Sequence, residues 1–250
     1  MPILERADAE IHYEVHGAGF PVLLYAPGGL KSEADMWGGS SPAYPNGFPW
    51  MDPRKALSDS YTVIAMDQRN AGRSVADVEP DHGWHTFAAD HLALMDHLGF
   101  EKFHVMGGCI GGSYCFEAIE QAPDRVAAAV LQNPIGLWGN RDNWDAAVKG
   151  YGETVRKRDP SISQETIDSF GRNMFGGDFV FSVTRDFVRN CRTPLFLQPG
   201  TDKPHPAHTS AEIAELAPNI EVQKDWRGPE FLQDSIRRVH AFLERNTPKS

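Results

Sequence analysis

The chain has 250 residues, of which 41% are hydrophobic, and this is enough to bury the core of one sizeable domain. It carries 34 acidic and 24 basic side chains, a net charge of −10, and its sequence has no stretch rich in lysine and arginine, which argues against nucleic acid or an anionic membrane as a partner. The sequence shows neither a signal peptide nor an apolar run near the roughly 20 residues of a membrane helix. We therefore expect a single domain over residues 1–250, located in the cytoplasm.

Two short antiparallel strands are predicted first, at residues 3–6 and 11–15. After them, apolar runs that are hydrophobic on both faces predict strands covered by helices on both sides. These runs cover residues 21–26, 61–66, 103–106, 126–131, 194–197 and 220–223. Helix-period patterns lie between most of them, most clearly at 88–98 and 230–244. Strands that alternate with helices predict an α/β fold with a mostly parallel sheet and right-handed crossovers.

Two long connections interrupt this alternation. Residues 30–59 are rich in glycine, proline and aromatic side chains, which include Trp37, Tyr44, Phe48 and Trp50. Residues 135–192 form an insertion with helical patterns around 144–157 and 164–174. Long ordered connections in compact domains tend to be lids or binding loops, and open α/β sheets bind ligands at the carboxyl ends of their strands. We expect both connections to lie there.

Residues 107–112 read Gly-Gly-Cys-Ile-Gly-Gly and stand between a predicted strand and a predicted helix. A glycine-flanked turn in this place is typical of a nucleophile elbow, which pushes its central side chain out above the sheet. The helix N-terminus favours the thiolate of Cys109, so we predict Cys109 as the nucleophile. The alternative, a small buried hydrophobic residue, is our interpretation of Cys115 and Cys191. The three cysteines show no disulfide or metal-binding spacing.

This turn is one of five motifs that together resemble the α/β-hydrolase superfamily, in particular its small, lidded, esterase-like members. The other four are His-Gly at 16–17, Ala-Pro-Gly-Gly at 26–29, Asp-Gln-Arg-Asn-Ala-Gly-Arg-Ser at 67–74 and Pro-Gly-Thr-Asp at 199–202. The resemblance extends from about residue 2 to residue 245. It implies an eight-stranded, mostly parallel sheet with helices on both faces and a helical cap, at about 135–192, inserted after strand 6. It also implies a triad in the order nucleophile, acid, histidine, and neither a metal nor an organic cofactor.

Two further parts of the site follow from position. The oxyanion hole should be formed by the backbone N–H of Ile110, next to the nucleophile, and by that of Gly29, with Leu30 as the alternative. The resemblance places the orienting acid at Asp202, just beyond the predicted strand 194–197. The competing acid position, after the strand 126–131, is occupied by the uncharged Asn133.

The base of the triad is missing from its expected place. The resemblance puts a histidine in the loop before the last helix, but residues 226–231 contain none, and Phe231 stands where the base belongs. A phenyl ring accepts no proton, so either the chain is a substituted copy without a base or another histidine has taken the role. His85, near the start of a helix, is our surrogate base. His205 or His208, which closely follow the acid, is the other possibility.

We expect a hydrolase that attacks an ester, lactone or thioester carbonyl through acyl-Cys109, with deacylation slowed by the missing base. An acyltransferase, a non-hydrolytic lyase or isomerase, and a ligand-binding pseudoenzyme are the alternatives. The small-molecule substrate should be apolar or aromatic if the aromatic residues of the insertion line its pocket, although core packing would demand the same residues. These residues are Trp138, Trp144, Tyr151, Phe170, Met174, Phe175, Phe179 and Phe181.

Overall fold

A computed structural model describes residues 2–39 and 50–249 of the chain, so that Tyr44 and Phe48 of the first long connection lie outside the described residues. Every predicted strand is present, with ends within two residues of the prediction. A two-residue strand, β5, was not predicted. The strands are β1 (Ile3–Glu5), β2 (Ala9–His16), β3 (Phe20–Tyr25), β4 (Tyr61–Met66), β5 (Val75–Ala76), β6 (Phe103–Gly108), β7 (Val126–Gln132), β8 (Leu195–Gln198) and β9 (Ile220–Val222).

The strands form one sheet in the order β1-β2-β4-β3-β6-β7-β8-β9, and β5 pairs with β2. The pairs β1–β2 and β2–β4 are antiparallel, and the five pairs from β4–β3 to β8–β9 are parallel. Leu24, Met106, Val130 and Phe196 are aligned across the four central strands and are buried. The predicted mostly parallel sheet of eight strands is therefore confirmed, with β5 as an addition at its antiparallel edge.

Helices cover both faces of this sheet. One buried cluster includes side chains of α2, α3 and the helices after β7, and a second lies on the opposite face with side chains of α8 and the connection around α1. This arrangement explains why the sequences of the central strands are apolar without alternation, because both faces of each central strand are removed from water. The helices are α1 (Pro53–Ala56), α2 (Trp84–His97), α3 (Gly111–Gln121), α4 (Arg141–Arg158), α5 (Gln164–Phe175), α6 (Arg185–Asn190), α7 (Ala207–Leu216) and α8 (Leu232–Asn246), with 3₁₀ turns at Gly29–Lys31 and Ala34–Trp37.

The inserted helices α4, α5 and α6 lie between β7 and β8, which is after the sixth strand when the two-residue β5 is set aside. Seven of the eight aromatic and methionine residues noted in this segment are buried members of the core cluster on that face. Core packing thus accounts for their apolar character. The exception is Trp138, which is 58% exposed and stacks on His208 with ring centroids 3.4 Å apart.

None of the helices in the described part of the chain is long and apolar enough to cross a membrane.

Candidate active site

Strand β6 passes into helix α3 through Cys109, which has a left-handed φ of 59°. Such a conformation is unusual for a residue with a side chain and is held here by its surroundings. A Cβ on Gly107 would lie only 2.0 Å from the carbonyl oxygen of Gly111, so the flanking position accepts glycine alone. The Cys109 N–H donates to the carbonyl of Gln132 on β7 at 3.0 Å. The turn therefore has the geometry predicted for a nucleophile elbow.

The thiol of Cys109 differs from the other two thiols of the chain. Its side chain is half-buried, whereas Cys115 and Cys191 are buried, and all three are free. Burial raises the pKa of the Cys109 thiol, but the imidazolium of His205 and nearby backbone N–H groups lower it more, so that it lies below its ordinary value of 9.0. Burial raises the pKa of Cys115 well above 9.0 and also raises that of Cys191. Cys109 is the thiol that its surroundings favour as thiolate.

The histidine beside this thiol, His205, comes from the loop between β8 and α7. This loop folds into a tight turn in which the Asp202 N–H donates to the His205 carbonyl at 3.2 Å and the His205 N–H donates to the Asp202 carbonyl at 3.1 Å. A Cβ on Gly200 would lie 2.4 Å from the His205 carbonyl oxygen, so glycine is required where the two ends of the turn meet. The turn fixes acid and histidine next to each other.

The imidazole of His205 links the acid to the thiol. Its Nδ1 lies 2.5 Å from Oδ1 of Asp202, and this hydrogen bond leaves Nε2 for the sulfur. Nε2 is buried, and the Cys109 thiol next to the imidazole favours the imidazolium through its negative charge and as a hydrogen-bond partner. Burial lowers the pKa of His205, but the thiolate and the carboxylate raise it more, to about 9. The two shifts have opposite signs and both favour a thiolate beside an imidazolium.

Asp202 is held as a carboxylate from two sides. Burial raises its pKa, but the hydrogen bond and charge of His205, followed by the charge of Arg227, lower the pKa below its ordinary value. Its Oδ2 lies 3.4 Å from Nη1 of Arg227, a residue of the loop before α8. Asp202 thus contacts His205 with one carboxylate oxygen and Arg227 with the other, and its role as the acid of a triad stays a prediction.

The two base positions predicted from the sequence lie in other surroundings than His205. Phe231 is half-buried at the N-cap of α8, and its backbone N–H donates to the carbonyl of Gly228 at 3.1 Å. His85 is exposed in the first turn of α2, where its Nε2 lies 3.3 Å from Oγ1 of Thr86. The imidazole next to Cys109 is that of His205, and neither the Phe231 position nor His85 supplies it.

The backbone donors on the two sides of the thiol belong to Ile110 and Gly28. Ile110 is the predicted donor that follows the nucleophile. On the other side, the N–H that bonds to the thiolate is that of Gly28, one residue before the predicted Gly29. Gly29 itself begins a 3₁₀ turn with a left-handed φ of 60°. Its place in the oxyanion hole stays a prediction.

One sequence signal points to His205. Asp202 and His205 are three residues apart, and this spacing is that of a turn in which a carboxylate can reach back to a neighbouring side chain. Pro204 and Pro206 flank the histidine and keep it out of α7, which begins at Ala207. The spacing shows that the two groups are close, but it does not show that they face Cys109. His208, the other histidine considered in this loop, is exposed and stacked on Trp138.

No group of three or more His, Cys, Asp or Glu side chains within residues 2–39 and 50–249 is arranged to hold a metal ion.

A family model described as "alpha/beta hydrolase fold" matches residues 21–235. The chain belongs to this family. The curated relatives include a protein of Azorhizobium caulinodans named as the carbamate hydrolase RutD, 34% identical over 144 residues, a match that covers 58% of this chain and 47% of the relative. A fluoroacetate dehalogenase of Burkholderia is 38% identical over an alignment of 105 residues, and the match covers 38% of this chain and 34% of the relative. The chain spans about half the length, or less, of the curated relatives that it matches.

Solved structures of the family share the fold along nearly the whole chain. The enol-lactonase of Burkholderia xenovorans superposes with a TM-score of 0.66 at 19% identity, covering 97% of this chain and 100% of the other. A thermophilic esterase of Thermogutta terrifontis has a TM-score of 0.68 at 18% identity and covers 99% of this chain and 100% of the other. At such identities the likeness is one of fold, which confirms the predicted architecture.

Proposed function

We propose that the protein is a hydrolase of small molecules that cleaves an ester, lactone or thioester through an acyl-enzyme on Cys109, with His205 as acid and base and Asp202 as the orienting carboxylate. The observation that carries this proposal is the contact of the His205 imidazole with the Cys109 thiol, which is matched by opposite pKa shifts in the two groups. A thiolate beside an imidazolium is an activated nucleophile with a proton donor next to it.

Acylation follows from this ion pair. The thiolate attacks the substrate carbonyl, and the oxygen that becomes negative accepts hydrogen bonds from backbone N–H groups of Ile110 and of the Gly28–Gly29 turn. As the intermediate collapses, the C–O or C–S bond to the leaving group breaks and the imidazolium of His205 gives its Nε2 proton to the departing atom. A thioester to Cys109 and a neutral imidazole remain.

Deacylation uses the same imidazole in its neutral form. Acylation removes the negative charge of the thiolate, and with it one of the interactions that raise the pKa of His205. The imidazole is then able to take a proton from water, which attacks the thioester carbonyl and releases the acid and the thiolate. In this mechanism deacylation is not slowed by a missing base, because His205 of the loop between β8 and α7 acts as the base.

The class of substrate is supported by the relatives as well as by the site. One relative is named as a carbamate hydrolase, and two structural neighbours are an enol-lactonase and an esterase. The compounds implied by these names contain a carbonyl joined to a leaving heteroatom, and this is the group that an acyl-Cys109 route requires. We also propose that the inserted segment, residues 135–192, acts as the cap over the carboxyl ends of the strands within a single domain.

Intact-protein mass spectrometry after rapid mixing with an activated ester tests the route. We expect a mass increase of one acyl group on the wild-type chain, followed by its loss as product forms. Cys109→Ala should show neither the adduct nor turnover. Cys191→Ala is the matched control, since it removes a free thiol whose pKa is raised, and it should acylate like the wild type.

Other outcomes of this experiment would identify the alternatives. Product that appears only when an alcohol or amine acceptor is added would indicate an acyltransferase. Turnover that survives in Cys109→Ala would contradict the acyl-enzyme and favour a lyase or isomerase. Tight binding without turnover, equal in wild type and Cys109→Ala, would favour a binding protein on this scaffold.

A further inference from the structure

Arg227 occupies the loop in which the resemblance placed the base. Its guanidinium carbon lies 4.9 Å from the ring centroid of Trp226 and 5.8 Å from that of Trp50. Nη1 donates to Oγ1 of Thr201 at 3.2 Å and to Oδ2 of Asp202 at 3.4 Å. The arginine thus connects the loop before α8 to the acid of the proposed triad.

The aromatic contacts give this arginine a defined position. The two indole ring centroids are 5.8 Å apart, and Nε1 of Trp226 donates a hydrogen bond at 3.0 Å to the carbonyl of Pro199, the residue that follows β8. Exposed ion pairs contribute little to stability because their side chains must be ordered. Here stacking on Trp226 orders the guanidinium beforehand, and the Arg227 side chain is only 22% exposed.

Asp202 needs such support. Its side chain is 47% exposed, far more than the 13% of the His205 side chain that it orients. One carboxylate oxygen, Oδ1, accepts both the backbone N–H of His205, at 3.1 Å, and its Nδ1. The other oxygen, Oδ2, points toward Arg227. A carboxylate with one oxygen free could rotate toward water, and the imidazole would then lose its partner.

We propose that Arg227 is a positioning residue that holds Oδ2 of Asp202 so that Oδ1 stays aimed at Nδ1 of His205. This inference rests on the proposed function, in which His205 serves Cys109. It assigns a role to the loop before α8, which lacks the base. That loop contacts Oδ2 of Asp202 through Arg227, while the imidazole on Oδ1 belongs to the same turn as Asp202.

Positioning and simple charge effects have opposite signs in the titration of His205. If Arg227 only contributed its positive charge, its removal would stabilise the imidazolium and raise the pKa of His205. If Arg227 holds the carboxylate in place, its removal frees Asp202, and the imidazolium loses the anion that stabilises it, so that the pKa of His205 falls. The direction of the change therefore distinguishes the two roles.

The experiment measures the rate of Cys109 alkylation by iodoacetamide across pH, which reports the thiolate and needs no substrate. For Arg227→Met we expect slower alkylation at pH 7, by at most about tenfold for a rise of one unit in the pKa of the Cys109 thiol, and a basic limb of the pH profile of kcat/KM that moves to lower pH. Arg227→Lys keeps the charge and should recover part of the rate. Arg245→Met is the control, because it removes an exposed cation that pairs with Glu221 and not with Asp202. Cys109 in this variant should be alkylated at the wild-type rate.

A double-mutant cycle completes the test. The effect of Arg227→Met should disappear in the Asp202→Asn background, because both changes act on the same interaction. The proposal is overturned by a basic limb that moves to higher pH, by additive effects in the cycle, or by a rise in KM with kcat and alkylation unchanged, which would make Arg227 a substrate contact. Failure of the hydrolase proposal shows instead as the absence of acyl-Cys109 in the wild type, while the alkylation rates still report on Arg227.

Discussion

The loop after β8 and the loop before α8 differ from the pattern that the family resemblance implies. In that pattern the first loop supplies the acid and the second supplies the histidine. Residues 200–206 carry both the acid, Asp202, and the imidazole, His205, whereas residues 226–231 carry no imidazole and bring Arg227 to the acid. Both loops converge on Asp202 from opposite sides. In the proposed site the imidazole beside Cys109 therefore comes from a neighbouring loop, because a contact of this kind depends on where the atoms lie and not on which loop carries them.

The largest expected effect comes from removing the imidazole from the first loop. His205→Ala should lower kcat for an activated ester by roughly 10² to 10⁴-fold, the usual contribution of general acid–base catalysis. His208→Ala removes an exposed histidine three residues further along and should stay within about twofold of the wild type, since losses on that scale accompany surface changes away from the chemistry. Steady-state kcat values of the two variants, compared with that of the wild type, test this difference. Equal, small losses would contradict the role of His205.

The reactivity of the thiol should follow the same imidazole. Wild-type Cys109 should stay reactive to a lower pH than an ordinary thiol does, because its pKa lies below its ordinary value of 9.0. In His205→Gln the main interaction that lowers this pKa is lost, so the rate should fall about tenfold for each pH unit below 9. Peptide mapping of iodoacetamide adducts measures this, with Cys115 as the internal control that stays unmodified. Identical profiles would place His205 away from the thiolate.

The tight turn that joins acid and imidazole gives a smaller effect on stability. Gly200→Ala places a Cβ 2.4 Å from the His205 carbonyl oxygen, so the loop must move. We expect a loss of about 1–3 kcal/mol in the free energy of unfolding, the usual cost of overpacking, and a lower kcat. Gly150→Ala in α4 is the control, since a Cβ there meets nothing within 4 Å. Urea unfolding curves compare the two, and an unchanged midpoint for Gly200→Ala would contradict the close approach.

The smallest effect is expected in the second loop. Phe231→His would install an imidazole at the position that the sequence suggests for the base, but the place beside Cys109 is already taken by His205. Turnover should therefore stay within about twofold of the wild type, as for most surface substitutions. A tenfold rise would show that the site lacks a base, in agreement with the expectation from the sequence alone. Turnover of the double variant Phe231→His, His205→Ala tests whether an imidazole in the second loop can reach the thiol.

Local patterns were sufficient for most of the fold. Apolar runs placed the six strands that pair in parallel, the two short antiparallel strands before them were also predicted, and helical periodicity placed α2 and α8 within a few residues of their observed ends. The exception, β5, has two residues and pairs with the edge strand β2, so no apolar run marks it. Glycines at fixed spacing marked the elbow because the close approach of Gly107 to Gly111 is a local requirement of the turn.

The aromatic residues between β7 and β8 could not be assigned from composition alone to a pocket wall or to the packed core. Trp144 and Phe181 pack against each other with ring centroids 5.1 Å apart and are buried with the core, whereas Trp138 is exposed. Pocket walls and packed interiors use the same side chains, so only the burial of each residue separates the two roles.

The sequence alone was sufficient to predict the α/β alternation and the elbow with its thiol, to place the proposed acid after β8, and to show that no histidine precedes α8. Each of these depends on residues that are neighbours in the chain or on the periodicity of a single element. The folded structure was needed to show that the imidazole of His205 lies beside Cys109, that the backbone donor opposite Ile110 is Gly28, and that Arg227 contacts Asp202. These contacts join residues from separate loops. Their positions follow from how the strands and helices pack, and spacing along the chain carries no record of that packing.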